Sequence, residues 1–510
     1  GKTLVTALGA AIQASEGWPV HVITSNDYLA LRDLEQNSAL FTRLGLAHRG
    51  LEPDQQPPER REIYRAQIVY GASNEFAFDH LRDRIALGDA TALHIKLNSR
   101  FGTADPPVMR GLWSAIVDEA DSVMIDEART PLVISASGGD NMLAQTAVQA
   151  MALAERFVSD THVTIAPATE RPITLTDNGV AMIPDLVEGL GGVWSGLRRS
   201  RELIERALYA RHILRRDEQY IITEEGKAEI VDENTGRIMP DRTWSDGLHQ
   251  MVEVKEGLPP SDERVTLGRL TYQRFFRRYR RLSGLSGTLL EARREMKEIY
   301  DLAVMPVPTN RPSLRIIEPA RIVADQAAKW QAVADAAARH HAEGRPVLIG
   351  ARTVKGVEDA AAALTERGLP HRILSARQTA AEAEIVTEAG QAGAITVATN
   401  MAGRGTDIAL DPVARAAGGL VVLMAERHEA GRIDRQLIGR CARQGAPGRV
   451  ETILAADDDL LGREPPHTPS PADFDRAQAR LERMHLRQRA DLNRMEEGLD
   501  DMIAFAGGLE

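Results

Sequence analysis

Short apolar runs alternate with helical segments over the first quarter of the chain. Residues 3–14 are rich in Ala and Leu and predict a helix, and residues 20–24 predict a short buried strand after it. Further apolar runs at 66–70 and 115–118 end in polar residues. Because short apolar strands that alternate with helices are typical of a parallel, wound sheet, this pattern predicts an α/β fold.

The alternation breaks in the middle of the chain and then resumes. Near Gly138 the pattern changes to helical segments with short β-like runs at 220–223 and 228–231, and a second alternating pattern begins near Arg315. The strands of this second unit are predicted at 347–349, 394–398 and 419–423. We therefore expect two similar α/β units with a different segment between them.

The last part of the chain predicts one long helix. It follows a Pro-rich linker at residues 465–471. Apolar residues then recur at three- and four-residue steps, namely Leu481, Met484, Leu492, Met495, Leu499 and Met502. This spacing places them on one helix face, so we expect the helix to pack on a neighbouring domain.

A basic run surrounds a set of aromatic residues near residue 275. Phe275, Tyr279 and Leu282 predict one apolar face of a single helix, and arginines at 277, 278, 280 and 281 lie around it. We interpret this segment as an amphipathic helix with a solvated basic side. In a nucleic-acid helicase the same arginines would form a binding patch.

Composition narrows the class of protein. At about 150 residues per domain, 510 residues suggest roughly three or four domains. A hydrophobic share of 43% supports packed cores and excludes wholesale disorder. The net charge of −11 argues against a protein that coats nucleic acid non-specifically, because basic charge drives such binding. A single cysteine, Cys441, excludes a disulfide framework and a zinc site built from several cysteines, and a reducing compartment fits best.

Targeting signals are not apparent in the sequence. The apolar runs are far shorter than a membrane-spanning helix requires, and the N-terminus has no signal-peptide pattern. The chain begins with Gly1 in place of an initiator Met, so we expect an upstream piece to be missing.

Two groups of residues in the first α/β unit predict phosphate chemistry. Gly1-Lys2-Thr3 precedes a helix, as at the end of a phosphate-binding loop, where the Lys reaches phosphate oxygens and the Thr hydroxyl binds Mg²⁺. Asp118 and Glu119 follow a predicted strand; Asp118 would hold Mg²⁺ through water, and Glu119 would polarise the attacking water. Gly-Lys-Thr is common by chance, and the acidic pair alone is also compatible with a solvated turn.

Two further groups lie in the second α/β unit. In the segment 399–407, two glycines allow close backbone approach, and Asp407 can contact ribose or take a coordinating role. In the segment 436–445, Arg440 and Arg443 are predicted to share one helix face and to neutralise charge on the transferred phosphoryl group. A lone Arg pair is usually a surface ion-pair partner. Together the four groups predict a two-lobed ATPase that binds ATP between its lobes.

A family resemblance becomes specific at the acidic pair. Asp118-Glu119-Ala120-Asp121 spells the helicase DEAD box, but the longer run at 117–135 (VDEADSVMIDEARTPLVIS) resembles the signature of SecA, the preprotein translocase ATPase. Further matches to that family lie at 26–30, 235–237, 244–250, 308–312, 400–408 and 426–429. They are colinear and spread over most of the chain.

The resemblance implies a fold of two RecA-like, helicase-type nucleotide-binding domains with parallel sheets. It divides the chain into a first part of nucleotide-binding domain 1 (1–136), an inserted α+β preprotein cross-linking domain (137–262), the return of domain 1 (263–312), nucleotide-binding domain 2 (313–463), and a linker with a partial helical scaffold (464–510).

The resemblance also implies the function and its partners. The chain would be a cytoplasmic motor at the inner face of the cell membrane that uses ATP and Mg²⁺ to move unfolded preproteins through the SecY channel. Expected partners are the SecY channel complex, unfolded preproteins with or without a secretion chaperone, and an anionic membrane surface. A homodimer is left open, and no nucleic acid is expected.

Functional residues carry over by motif position. The catalytic set is Asp118, Glu119, Arg440 and Arg443. The nucleotide-binding set is Gly1, Lys2, Thr3, Arg32, Arg404, Gly405 and Asp407. Thr3 and Asp118 would hold Mg²⁺ indirectly.

The chain departs from the family pattern in two respects. Ile438, Cys441, Ala442 and Ala446 stand where the family typically has Arg, Ser, Gly and Asp. The wing domain, the two-helix finger and the zinc-binding tail find no match, so no zinc site is expected in this chain. Two alternatives therefore stay open: a non-catalytic relative that binds preprotein or channel, and a DEAD-box-like helicase, which leaves the match at 244–250 unexplained.

Overall fold

The computed structural model describes residues 1–87, 107–137, 142–165, 172–223, 226–231, 238–239, 243–261, 264–374, 385–399, 405–462 and 466–505. The predicted break near Gly138, the family match at 235–237 and the candidate residue Arg404 lie outside these ranges.

The first lobe begins with alternating helices and strands, as the sequence pattern predicts. Its elements are α1 (Lys2–Ser15), β1 (Val20–Thr24), α2 (Asp27–Arg43), β2 (His48–Gly50), α3 (Pro57–Tyr64), β3 (Ile68–Ala72), α4 (Ser73–Leu87), β4 (Ser114–Asp118) and β5 (Leu132–Ser137). A π-helical turn (Ser122–Asp126) and a 3₁₀ turn (Glu127–Arg129) join β4 to β5.

A middle segment follows with its own hydrophobic core. It contains α5 (Met142–Ala154), β6 (Val163–Ile165), β7 (Ile173–Leu175), α6 (Asp177–Val187), α7 (Leu197–His212), β8 (Tyr220–Ile222), β9 (Ala228–Val231), β10 (Ile238–Met239) and α8 (Leu248–Lys255). Trp194, Ile204 and Tyr220 are among the buried residues of this core. Its assignment to preprotein cross-linking stays a prediction.

The chain then returns to the first lobe through β11 (Arg264–Leu270), α9 (Tyr272–Arg277), β12 (Arg281–Leu285) and α10 (Arg293–Tyr300). β11 pairs antiparallel with β5. β12 joins the main sheet, whose order is β12-β4-β1-β3-β2 with all neighbours parallel. Ala115 and Val117 face one core and Ile116 faces the other, so both faces of the sheet are covered, as parallel sheets require.

The prediction of one helix through residues 275–282 is wrong. The helix ends at Arg277, and Leu282 lies in strand β12, while Phe275 and Tyr279 are buried in the first-lobe core. The short run Arg281–Leu285 pairs with the internal strand β4, and this tertiary pairing replaces the helical periodicity.

The second lobe repeats the wound α/β plan. Its elements are β13 (Leu314–Ile317), β14 (Arg321–Val323), α11 (Gln326–Ala342), β15 (Val347–Ala351), α12 (Val354–Glu366), β16 (Arg372–Leu374), β17 (Ile395–Thr399), α13 (Pro412–Ala416), β18 (Leu420–Met424), α14 (Gly431–Ile438) and β19 (Pro447–Ala455). The sheet order is β13-β19-β18-β15-β17-β16, with β14 also beside β19, and every pairing is parallel. The predicted α/β fold class is therefore confirmed.

The C-terminal helix α15 (Pro471–Phe505) packs on both lobes. Gln478 Nε2 donates to the His428 carbonyl and to Asp434 Oδ2 of the second lobe, both at 2.8 Å. Arg489 forms two hydrogen bonds with Glu295 of the first lobe, at 2.6 and 2.9 Å. The predicted long helix against neighbouring domains is confirmed. Its predicted apolar face is only partly so, because Met484 and Met495 are 45% and 63% exposed and polar side chains make the contacts just described. Among the described residues, no helix combines the length and the apolar character that crossing a membrane requires.

Candidate active site

The carboxylates of the candidate site lie at the carboxyl end of β4. Asp118 is the last residue of this buried strand, and its Oδ1 accepts a hydrogen bond from Glu119 N at 2.8 Å. Glu119 turns the chain with φ 51°, a left-handed conformation that non-glycine residues seldom adopt. Such backbone strain is common at functional sites, because the surrounding structure must hold it.

Lys2 meets both carboxylates. It is the first residue of α1, and its Nζ forms a hydrogen bond with Glu119 Oε1 and lies 3.7 Å from Asp118 Oδ1. Burial raises the pKa of Asp118, and the Lys2 ammonium opposes that effect. Thr3 is the next residue of the same helix and is half-buried. The structure therefore joins the two predicted groups of the first lobe.

Arg32 links the first lobe to the second. It lies on α2, whose N-terminus is capped by the Asn26 side chain. Its guanidinium donates to the Gly405 carbonyl at 3.1 Å and to Thr406 Oγ1 at 3.3 Å. Gly405 has φ 78°, and a Cβ there would lie 2.6 Å from Leu29 Cδ1, so this contact between the lobes requires glycine.

Arg440 and Arg443 do not share a helix face, and that prediction is wrong. Helix α14 ends at Ile438, and both arginines lie in the following turn, where Ala442 has φ 56° and Gln444 has φ 53°. At Ala442 this left-handed backbone coincides with a position where the family typically has Gly. A Cβ favours the right-handed region, so the local turn follows from tertiary packing rather than from residue preference.

The two arginines approach one short segment of the second lobe. Arg440 donates to the Thr406 carbonyl at 3.0 Å, and Arg443 donates to Asp407 Oδ1 at 3.1 Å. Gln444 Nε2 donates to the other Asp407 oxygen at 2.9 Å. The predicted residues Gly405, Asp407, Arg440 and Arg443 therefore lie together, on the segment that Arg32 contacts.

Sequence reasoning missed a buried polar cluster between the lobes. Asp121 is fully buried, and it accepts hydrogen bonds at 2.6 Å from Ser286 Oγ and from Thr288 Oγ1. Gln436, on α14 of the second lobe, donates to the same carboxylate. Asp121 is the last residue of the DEAD motif, so the sequence marks its position. Its hydrogen-bond partners lie more than 160 positions away in the chain, and motif spacing does not reveal them.

A second missed contact is an ion pair across the lobes. Arg432 Nη1 donates to Asp126 Oδ2 at 2.7 Å, and its other terminal nitrogen pairs with Oδ1. Burial alone would lower the pKa of Arg432, but the Asp126 carboxylate more than offsets this and raises that pKa. Two more pairs, Arg129 with Glu429 and Arg435 with Glu291, also cross between the lobes.

Metal ligands are sparse in the part of the chain that the structure describes, where no three His, Cys, Asp or Glu side chains are grouped to hold an ion. The donor set nevertheless suits a hydrated Mg²⁺, which typically binds through one or two carboxylates and keeps several waters. The Asp118 carboxylate and the Thr3 hydroxyl are hard oxygen donors of the type that Mg²⁺ binds. Lys2, Arg32, Arg440 and Arg443 are cationic side chains, the type that binds phosphate oxygens. The residues present therefore fit a nucleotide with Mg²⁺.

Two parallel-sheet lobes, with a lysine and two carboxylates at the edge of one and two arginines on the other, define the class of RecA-like, two-lobed nucleotide-binding proteins. Residues 1–297 match the model of the SecA DEAD-like domain, and residues 312–417 and 411–464 match the model of the SecA P-loop domain. The chain belongs to the SecA family.

Individual relatives agree with this assignment. The chain is 45% identical over 99% of its length to protein translocase subunit SecA 2 of Bordetella avium, covering 80% of that protein. It is 42% identical over 99% of its length to SecA 2 of Nitrosospira multiformis, covering 79%. Among solved structures, S. cerevisiae Dbp5 bound to RNA and ADP BeF3 matches 95% of this chain and 81% of that one, at 12% identity and a TM-score of 0.39. At that level the similarity bears on neither activity nor ligand.

Proposed function

We propose that the chain is the ATP-hydrolysing motor of a Sec-type translocation system, which moves unfolded preproteins through the SecY channel. Family membership supports the translocation part, since the relatives are named protein translocase subunits. The observation that carries the ATPase part is the contact of Lys2 with Asp118 and Glu119 at the end of β4.

The first lobe would supply the groups for hydrolysis. The Lys2 ammonium and the N-terminal N–H groups of α1 would bind phosphate oxygens, and Thr3 and Asp118 would hold Mg²⁺ through oxygen contacts. When bound, Mg²⁺ neutralises charge on the phosphates. Glu119, whose carboxylate lies beside the Lys2 ammonium, would accept a proton from the attacking water.

The second lobe would complete the site with cations. Arg440 and Arg443 would offset negative charge on the transferred phosphoryl group, as arginine fingers do. Gly405 and Asp407 would contact the nucleotide backbone and ribose, with Arg404 beside them by motif position. Since Asp407 accepts from Arg443 and Gln444, nucleotide binding would have to rearrange these hydrogen bonds.

The contacts between the lobes would couple hydrolysis to movement. Asp121 lies two residues after Glu119 and binds Gln436, which lies four residues before Arg440. A shift of either catalytic group would thus reach the other lobe through a short path. Ion pairs such as Asp126–Arg432 would hold one relative position of the lobes until ligand binding outweighs them.

The remaining assignments extend the family picture to partners and location. Residues 137–262 would hold the preprotein, with or without a secretion chaperone. The protein would act at the cytoplasmic face of the membrane, against the SecY complex and anionic lipids. A homodimer stays open, and nucleic acid is not an expected partner.

The decisive experiment is steady-state ATP hydrolysis by the chain alone, with SecY-channel vesicles plus an unfolded preprotein, and with RNA. We expect stimulation by channel and preprotein. Glu119→Gln should lower turnover by about 10²–10⁴-fold while nucleotide binding persists, because the proton acceptor is lost but the cations remain.

Glu62→Gln is the matched control, since this glutamate is exposed and pairs with Arg65, three residues along the chain. Stimulation by RNA instead of preprotein would favour a helicase. If Glu119→Gln hydrolyses ATP as fast as the unaltered chain, or if neither hydrolyses it, the non-catalytic alternative replaces the motor.

A further inference from the structure

Two tryptophans and three arginines lie together at the edge of the first sheet opposite the candidate active site. Strands β1, β4 and β12 enter the sheet side by side, with Val20, Ser114 and Arg281 in one register row. The strands are parallel, so their first residues lie at the edge away from Asp118. The residues grouped there, which we name the amino-edge cluster, are Trp18, Trp113, Arg280 and Arg281, joined by Arg110 through its backbone carbonyl.

The tryptophan rings support the arginines. The Arg281 guanidinium carbon lies 4.4 Å from the centroid of the Trp18 ring, and that of Arg280 lies 5.0 Å from the centroid of Trp113. The two rings are 5.9 Å apart, and Trp113 Nε1 donates to the Arg110 carbonyl at 3.1 Å. A guanidinium over an indole face is attracted to the ring, and because Arg280 and Arg281 are exposed, an acceptor can reach their N–H groups. The cluster therefore presents fixed hydrogen-bond donors.

The charge of the cluster is only partly matched by acids. Arg281 Nη1 donates to Glu16 Oε2 at 2.8 Å, and both side chains are about half exposed. Within the described part of the chain, Arg110 and Arg280 form no ion pair, although Arg110 donates to the Arg65 carbonyl at 3.0 Å. The net charge of the chain is −11, so this basic patch has the opposite sign to the protein as a whole.

We propose that the amino-edge cluster docks an acidic peptide segment of a partner protein. The Glu16 contact shows that a carboxylate fits an arginine of this cluster, and guanidinium groups match carboxylates in shape. Trp and Arg are also enriched in protein–protein interfaces. The proposal is independent of the ATPase function, which uses the opposite edge of the sheet.

An acidic peptide fits this surface better than a membrane or a nucleic acid. Anchoring on anionic lipids typically takes clusters of about four to eight basic residues, whereas this cluster has three arginines, one of them already paired. The net negative charge of the chain opposes the long-range attraction to nucleic acid that such binding requires.

The test is binding of a fluorescein-labelled peptide of alternating Glu and Ser to the full chain, measured by fluorescence anisotropy. The double variant Arg280→Ala/Arg281→Ala should bind at least about ten-fold more weakly, since it loses two charge-assisted contacts. Arg198→Ala/Arg294→Ala is the matched control, because these exposed arginines pair with Glu202 and Glu298 one turn along their own helices.

A second variant keeps the test decisive if the first one fails to fold. Arg280→Lys/Arg281→Lys retains the charge but not the planar, five-donor guanidinium, so it should also lose most of the binding. The proposal is overturned if these variants bind the peptide like the unaltered chain, or if the control weakens binding equally. It is also overturned if phosphatidylglycerol vesicles or single-stranded RNA, but not the peptide, bind in an Arg280- and Arg281-dependent way.

Discussion

The charged side chains at the boundary between the lobes are buried on the first-lobe side and exposed on the second-lobe side. On the first-lobe side, Asp118 is 8% exposed and Asp121 is fully buried. On the second-lobe side, the Asp407 and Arg443 side chains are 45% and 39% exposed. Water screens the exposed pair, whereas a buried charge that loses its partner is costly. The first lobe therefore fixes its carboxylates in place, and the second can rearrange its cations at little cost.

Arg432 is the exception that connects the two sides. It belongs to the second lobe, but its side chain is only 3% exposed and it pairs with Asp126 of the first lobe. It therefore behaves like the buried charges of the other lobe. Removal of a charged side chain should accordingly cost much stability at the buried positions and little at the exposed ones.

Arg432→Ala should destabilise the protein by about 3 kcal/mol, because it leaves the largely buried Asp126 carboxylate with only the more distant Arg129, at 3.9 Å. Urea unfolding monitored by circular dichroism measures the effect. The control Arg435→Ala removes a far more exposed arginine that also crosses between the lobes, paired with Glu291. Equal losses of stability in the two variants would contradict the expected difference between buried and exposed charges.

Asp27→Asn should stabilise the protein by about 1 kcal/mol at pH 8. Burial, followed by the nearby Glu75, raises the pKa of Asp27 to about 6. The folded state therefore binds this proton more tightly than the unfolded state, and its contribution to stability falls as the pH rises from about 4 to about 7. Partial exposure screens the group and reduces the magnitude.

The measurement is the free energy of unfolding of both proteins from pH 4 to pH 8. The difference between them should be small at pH 4 and should grow until about pH 7. The exposed Asp54→Asn serves as the control. A difference that stays constant with pH would show that Asp27 does not titrate as described.

Arg443→Ala should change the free energy of unfolding by less than about 0.5 kcal/mol, since its pair with Asp407 is exposed. The same variant should lower ATP turnover by about 10³-fold or more if Arg443 acts as an arginine finger. Urea unfolding and steady-state hydrolysis separate the two effects. A large loss of stability, or unchanged turnover, would remove Arg443 from the proposed site.

Much of the fold was predictable from local patterns. Runs such as 20–24 and 347–349 are short, apolar and flanked by helices, and they became buried parallel strands. The run at 281–285 was missed because its edge position in the sheet leaves it half exposed and gives it no clean strand pattern. The prediction that Arg440 and Arg443 lie on a helix failed because that helix stops at Ile438.

Local properties of the chain were enough to establish the α/β class, the family, and the positions of Lys2, Asp118 and Glu119, because strand periodicity and motif spacing can be followed along the sequence. The folded chain was needed to show which distant groups meet, such as Asp121 with Gln436 and Asp126 with Arg432. A buried charge must find a partner in space. The sequence contains many charged residues that could serve as that partner, and the packing of the folded chain decides which of them does.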